Sequence, residues 1–287
     1  MNRREFVSGT LAAGGTVLAG SALSAARLQR AKDRLTETLM QSGAVGAGAE
    51  PAREYYELRR YHLRRGPKQA LMDAHLRDAE IPAITRAGAG PVGVFNVMIG
   101  PESPTLHVLI VHKTLDTFAT LGDRLAADAE YQRAGAAYRN APATDPVFVR
   151  VDTWLMRAFT GQPTLHLPFG GGEAGKGRRI FELRTYESHS ERAALKKIEM
   201  FNTGEMAIFH RAGLEPVFFG QKLAGSDMPN LTYMLVYEDM AAHDKQWAAF
   251  GSDPEWRKLS TTPGYTDPEI VFNITNLFLR PTAYSQI

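Results

Sequence analysis

The sequence predicts an α+β fold made of two tandem copies of one domain. Two observations carry this: a repeat at constant offset, and the same order of elements in each copy. Tyr56-Glu57-Leu58-Arg59-Arg60-Tyr61 aligns with Phe181-Glu182-Leu183-Arg184-Thr185-Tyr186 at an offset of 125 residues (181 − 56). Without a gap the same offset pairs Arg86-Ala87-Gly88 with Arg211-Ala212-Gly213, Gly100 with Gly225, Pro104 with Pro229, and Asp128-x-Glu130-Tyr131 with Asp253-x-Glu255-Trp256. About a fifth of positions from 56 to 131 match, against roughly one in fifteen for unrelated sequence of ordinary composition. A duplication is the economical explanation, and a fixed period governs the fold that follows.

Each copy opens with a strand (55–63, 180–187), rich in aromatic and branched residues at period two. A helix follows (67–87, 191–212), closed by Gly88 and Gly213, where a left-handed C-terminal cap belongs. Two strands joined by Gly-x-x-x-Pro turns form a hairpin, 91–99 with 105–112 and 216–224 with 231–237. Thr114 and Asp239 stand ready to cap the next helix, and Asp253-Pro254-Glu255 restarts it. A last strand, 147–155 and 270–279, completes the copy. The order is the split βαβ, or ferredoxin-like (βαββαβ), arrangement. Its helices cover one sheet face only, so the two sheets are expected to close on each other within one chain, as a barrel with a lumen.

The 287 residues are 44% apolar and 22% charged, a globular composition. There is no cysteine, which excludes disulfides, thiolate nucleophiles and iron–sulfur ligation. Lys+Arg number 33 and Asp+Glu 31, without a basic run, so nucleic acid is not an expected partner. Residues 1–26 carry Arg3-Arg4, a Gly/Ala/Leu-rich stretch and the small residues Ser24-Ala25-Ala26, the layout of a twin-arginine-type export signal. Export to the periplasm or beyond is therefore expected, with no membrane span after cleavage, and an uncleaved anchor as the rival reading. Residues 27–53 read as a linker, 54–158 as the first domain, 159–178 as a second linker and 179–287 as the second domain. Gly170 to Gly177 nearly fits a phosphate-binding loop, but lacks the hydroxyl residue after Lys176 and leads into a strand rather than a helix.

The aromatic-Glu-Leu-Arg-x-Tyr opening at 56–61 and 181–186, the strand Leu231 to Tyr237 and the Asp-Pro-x-Trp at 253–256 resemble the NIPSNAP family. That resemblance spans roughly 54–158 and 179–282 and implies the dimeric α+β barrel fold, here formed by one chain. The first copy departs from the pattern, with His112 in place of Tyr237 and Tyr131 in place of Trp256. Barrels of this kind include cofactor-independent monooxygenases and haem-degrading enzymes, an analogy of fold alone.

Period two puts Glu57, Arg59 and Tyr61 on one strand face and Tyr56 and Leu58 on the other, with Glu182, Arg184 and Tyr186 likewise. With the apolar face expected against the helices, the Glu-Arg-Tyr face is expected to point to the lumen or to solvent. There the guanidinium would take a carboxylate or carbonyl, while a plain Glu–Arg ion pair is the structural alternative. Tyr233 and Tyr237 share a face and suit either a pocket for an aromatic ligand or the core. His112 is the candidate general base. No metal-ligand spacing occurs among the histidines and no cofactor is expected. The expected function is binding of a small apolar or aromatic ligand between the two domains. A cofactor-independent monooxygenase using the same lumen and a non-catalytic interaction module are the alternatives, and pairing of copies through a free edge is left open.

Overall fold

Each copy begins with a strand because alternating large apolar and charged side chains suit a sheet buried on both faces. The computed structural model describes residues 52–168 and 178–287. The leader expected at 1–26, nearly all of the 27–53 linker and Gly170 to Gly177 lie outside the described residues, apart from the linker's last two. In the first repeat, β1 (Tyr55–Leu63) leads to α1 (Lys68–His75), a π-helical turn (Leu76–Glu80) and α2 (Ile81–Arg86). The hairpin β2 (Val92–Ile99) and β3 (Thr105–His112) follows, then α3 (Leu115–Ala127), α4 (Ala129–Ala134), α5 (Ala136–Arg139) and β4 (Phe148–Ala158). The second repeat runs β5 (Ile180–Glu187), α6 (Glu191–Met200), a π-helical turn (Phe201–Glu205), α7 (Met206–Arg211), β6 (Glu215–Ala224) and β7 (Asn230–Tyr237). It ends with α8 (Met240–Ser252), α9 (Pro254–Ser260), α10 (Asp267–Ile270) and β8 (Asn273–Pro281).

The local chemistry explains most of these bounds. Thr114 and Asp239 accept the backbone N–H groups of Thr117 and Ala242, capping α3 and α8. Asp128 and Asp253 cap α4 and α9 in the same way. Gly88 and Gly213 have φ of +84° and +81°, the left-handed conformation that closes a helix. Two expectations need adjusting. The helices at 67–87 and 191–212 are not uniform, because each widens into a π turn midway, and the final strand starts at Asn273. Before it Thr266 and Glu269 form a reciprocal capping box that holds residues 267–270 as a helix.

All eight strands form one closed antiparallel barrel in the order β1-β3-β2-β8-β5-β7-β6-β4. The repeats meet along two seams, β2 with β8 (Phe95 opposite Pro281) and β4 with β6 (Ala158 opposite Gly220). The expected intramolecular α+β barrel is what forms, and closure leaves neither sheet an unpaired edge.

The expected orientation of the strand faces is reversed. Tyr56, Leu58, Phe95, Phe181, Leu183 and Phe218 point inward and pack with Trp154, Met156, Met234 and Ile287 as one core shared by both repeats. Tyr56 packs against Phe218 and Phe95 against Phe181 with tilted rings, the centroids of each pair 4.9 Å apart. Glu57, Arg59 and Tyr61, with Glu182, Arg184 and Tyr186, lie instead between sheet and helices. The physical reason is that the lumen is enclosed by sheet on every side, so it is the drier compartment and takes the apolar face. The helix layer supplies partners for the charged face, such as Glu80 for Arg59 and Trp247 for Glu182.

Candidate active-site cleft

The residues expected to carry the site do assemble, but as two separate clusters, one under the helices of each repeat. In the first, Glu57 is 4% exposed and accepts hydrogen bonds from Arg59 Nε at 2.5 Å and, on its other oxygen, His112 Nε2 at 2.9 Å. The Arg59 guanidinium also reaches Glu80 at 2.6 Å and the Tyr61 hydroxyl at 3.5 Å. Glu80 was not singled out from the sequence. It is delivered by the π turn, whose extra residue shifts its side chain onto the sheet, and its second oxygen sits 3.2 Å from His75 Nε2.

Burial by itself would raise both carboxyls. The hydrogen bond from His112 to Glu57, the close approach of His75 to Glu80 and the charge of Arg59 outweigh it and hold both below the ordinary carboxylate range. Burial works against the charge of Arg59 as well, but Tyr61, Glu80 and Glu57 reverse that and keep it charged. The result is a prepaired charge cluster rather than loose acids and bases.

The second cluster repeats this frame with different neighbours. Glu182 is fully buried, and accepts hydrogen bonds from Arg184 (2.5 Å), Tyr237 (2.8 Å), Asn276 (3.0 Å) and Trp247 (3.2 Å). Tyr233 donates to Tyr186 at 2.9 Å, beneath a tight group of phenylalanines. Glu205, from the second π turn, pairs with buried Lys197 at 2.9 Å. At the 125-residue offset the two clusters differ in a connected set of positions: Met72 for Lys197, His75 for Met200, His112 for Tyr237, Phe118 for His243 and Gly122 for Trp247.

The last of these decides what each cluster can do. Trp247 lies over Arg184, with the guanidinium carbon 4.6 Å from the ring centroid, and its indole N–H donates to Tyr237 at 2.9 Å. It closes the second cluster. α3 and α8 are both thirteen residues long and in step, so Gly122 occupies the corresponding place and contributes no side chain. A Cβ there would meet nothing within 4 Å. A cleft remains, lined by Arg59, Tyr61, Glu80, Gly122, Tyr131 and Tyr138, enclosing about 670 Å³ of space, part of it open to solvent. Tyr138 is itself stacked on His75 at 3.7 Å.

Of the sequence-based candidates, Arg59 and Tyr61 therefore line an open site, and Glu57 and His112 support it from behind. Glu182, Arg184, Tyr186, Tyr233 and Tyr237 belong to the closed copy. Among the described residues no group of His, Asp and Glu is arranged to hold a metal ion, and no helix is long and apolar enough to cross a membrane.

This architecture defines a duplicated α+β barrel protein with one open and one closed cluster. Its family is evident from the same residues: the NIPSNAP family profile matches 56–149 and again 181–286, and the chain belongs to that family. An uncharacterized NIPSNAP-like domain protein from Burkholderia xenovorans is 18% identical, with 38% of this chain and 90% of that chain covered and a TM-score of 0.35. A putative monooxygenase from Lactobacillus acidophilus is 8% identical over 80% of this chain and 94% of its own, with a TM-score of 0.51. Another from Fusobacterium nucleatum is 7% identical over 80% and 93%, with a TM-score of 0.50. At such identities the two monooxygenase likenesses speak for the barrel fold alone. No curated protein matches the chain.

Proposed function

We propose that this NIPSNAP protein binds a small planar aromatic ligand in the first repeat's cleft, with the ring laid against Arg59 in the space that Trp247 fills in the second repeat. The carrying observation is the pairing of Gly122 with Trp247. A glycine inside an exposed helix costs about 1 kcal/mol relative to alanine, and that cost is usually offset by a close contact. Gly122 has none, whereas its counterpart supplies a ring with a cation over one face and an acceptor for its N–H. A ligand with a flat face and a ring N–H would restore these interactions, stacking on Arg59 between Tyr131 and Tyr138. The site thus belongs to one domain, not to the space between two. The Arg3-Arg4 leader supports an exported, periplasmic location for this binding.

Calorimetric titration with indole tests the reading. The wild-type chain is expected to bind one equivalent, Gly122→Trp to bind none, and Trp247→Gly to admit a second. Indole binding that survives Gly122→Trp unchanged would sink the proposal. Oxygen uptake with phenolic substrates, abolished by Gly122→Trp, would turn the reading toward an oxygenase at the same cleft.

A further inference from the structure

The lumen is not apolar throughout. Four antiparallel steps separate β1 from β5 around the barrel, so these strands run the same way and their C-terminal ends share one mouth. There the inward face changes from Tyr56 and Phe181 to Arg60, Thr185 and Glu187, joined by His107 of β3, Thr232 of β7 and Lys222 of β6. Below this layer Leu58, Met156, Leu183 and Leu277 form an apolar floor, and about 540 Å³ of space, part of it open to solvent, lies between.

The charges at this mouth are unevenly answered. Arg60 is held by Asp152 through two hydrogen bonds of 2.7 and 3.1 Å, and His62 shares the same carboxylate at 2.7 Å. Glu187 accepts from Asn273 at 2.9 Å, and Asp227 from the Ser226 hydroxyl at 2.7 Å. Lys222 is 7% exposed and donates to the Ser226 carbonyl at 3.1 Å, but makes no ion pair with a carboxylate among the described residues. Its ammonium lies 5.5 Å from the centroid of the Trp154 ring, and Arg60 lies 5.0 Å from the same ring. The loop is tied down on Trp154: its indole N–H donates to Ser226 at 3.0 Å, and at Gly225 a Cβ would come within 2.2 Å of the ring. A buried cation held by one carbonyl and a ring face, with no carboxylate in ion-pair contact, is costly unless something completes its shell. Beside an apolar floor, the complement is an anion carrying a hydrocarbon.

We propose that the lumen mouth is a second binding site, for a short-chain carboxylate whose oxygens pair with Lys222 and whose hydrocarbon rests on Leu58, Met156, Leu183 and Leu277. Arg60 adds long-range attraction without giving up Asp152. Asp227 and Glu187 lie near enough to act on Lys222 but make no ion pair with it among the described residues. Burial pushes the Lys222 ammonium down to about 8, so occupancy depends on pH. Arg60 of β1 works in the same direction, while Asp227 of the loop and Glu187 of β5 oppose it. His107 of β3 is driven by burial down to about 3 and stays neutral across that range. Asp152 of β4 is held below the carboxylate range by His62 and Arg60 and stays ionised. Lys222 is then the group whose titration sets the profile.

The test is calorimetric titration of the full chain with hexanoate and with hexanol as its uncharged counterpart, read in parallel by Trp154 fluorescence. Hexanoate is expected to bind, hexanol far more weakly. Lys222→Met should weaken hexanoate about thirtyfold or more, as loss of one partner of a buried charge pair does, while Lys222→Arg should keep most of it. Affinity should decline above about pH 8 in the wild type and not in Lys222→Arg. Gly122→Trp should leave hexanoate binding unchanged, which separates this site from the aromatic cleft. Equal binding of hexanol, or undiminished binding of hexanoate by Lys222→Met and Lys222→Gln, would overturn the proposal.

Discussion

Glu57 and Glu80 show how a buried carboxylate is kept ionised at the cost of fixed partners. Both sit below the ordinary range, because the neighbouring imidazoles and Arg59 outweigh burial. In the unfolded chain they regain ordinary values and bind protons first as pH falls. The stability they contribute is therefore full at neutral pH and lost as pH drops through the acid range. Glu80→Gln should cost about 1–3 kcal/mol at pH 7, since it removes one of the two carboxylates that hold Arg59 and leaves Glu57, and the gap to wild type should shrink below about pH 4 in urea unfolding curves. Lys222 shares the direction of this pH dependence but costs stability instead of contributing it. Its folded value of about 8 lies below that of an unfolded lysine near 10.4, so the unfolded chain holds more protons between them and stability rises with pH there. Lys222→Met should stabilise the protein by about 2–3 kcal/mol at pH 7, with the gain vanishing by about pH 10.5. A chemical-denaturation series over pH checks that the gain fades.

At the scale of elements, the strand alternation at Tyr56 to Tyr61 and Phe181 to Tyr186 was legible, but the side each face takes was not. Period two fixes which residues share a face; the dryness of the two compartments decides which face goes where, and a closed barrel makes its inside drier than its helix-covered outside. Glu80 and Glu205 match at the repeat offset, but their approach to the strand charges is not legible, for another reason. A π turn leaves no mark in a 3.6-residue pattern, yet it alone brings these carboxylates to Arg59 and Lys197. Gly122 could have been noticed, because the offset that reveals the repeat sets it against Trp247 and no turn or cap requires a glycine there. Its position within α3 gives a direct expectation: Gly122→Ala should stabilise the ligand-free protein by about 0.5–1 kcal/mol through helix propensity alone. Trp247→Ala should cost about 1.5–3 kcal/mol by emptying a partly buried ring site. Thermal unfolding of both variants measures the pair, and a destabilised Gly122→Ala would mean that the helix needs the glycine for itself.

For the whole molecule, the two repeats are complements rather than beads. Tyr56, Leu58, Phe95, Leu109 and Val111 of the first repeat find their partners in Phe181, Leu183, Val217, Phe218 and Met234 of the second, and the seams β2–β8 and β4–β6 supply each sheet's missing edges. The duplication visible in the sequence thus also serves as the closure of the core. The frame has room for both proposed sites, because the clefts under the helices are private to each repeat, whereas the lumen mouth draws Arg60 and Lys222 from different repeats. A chain confined to residues 52–168 would expose its inward apolar face and two strand edges. It should therefore pair with itself or aggregate rather than remain monomeric, as sedimentation analysis would show. Adding residues 178–287 as a separate chain should restore a one-to-one complex with the barrel's single cooperative unfolding. A soluble, folded monomer of residues 52–168 would mean that the inward face is not what holds the two repeats together.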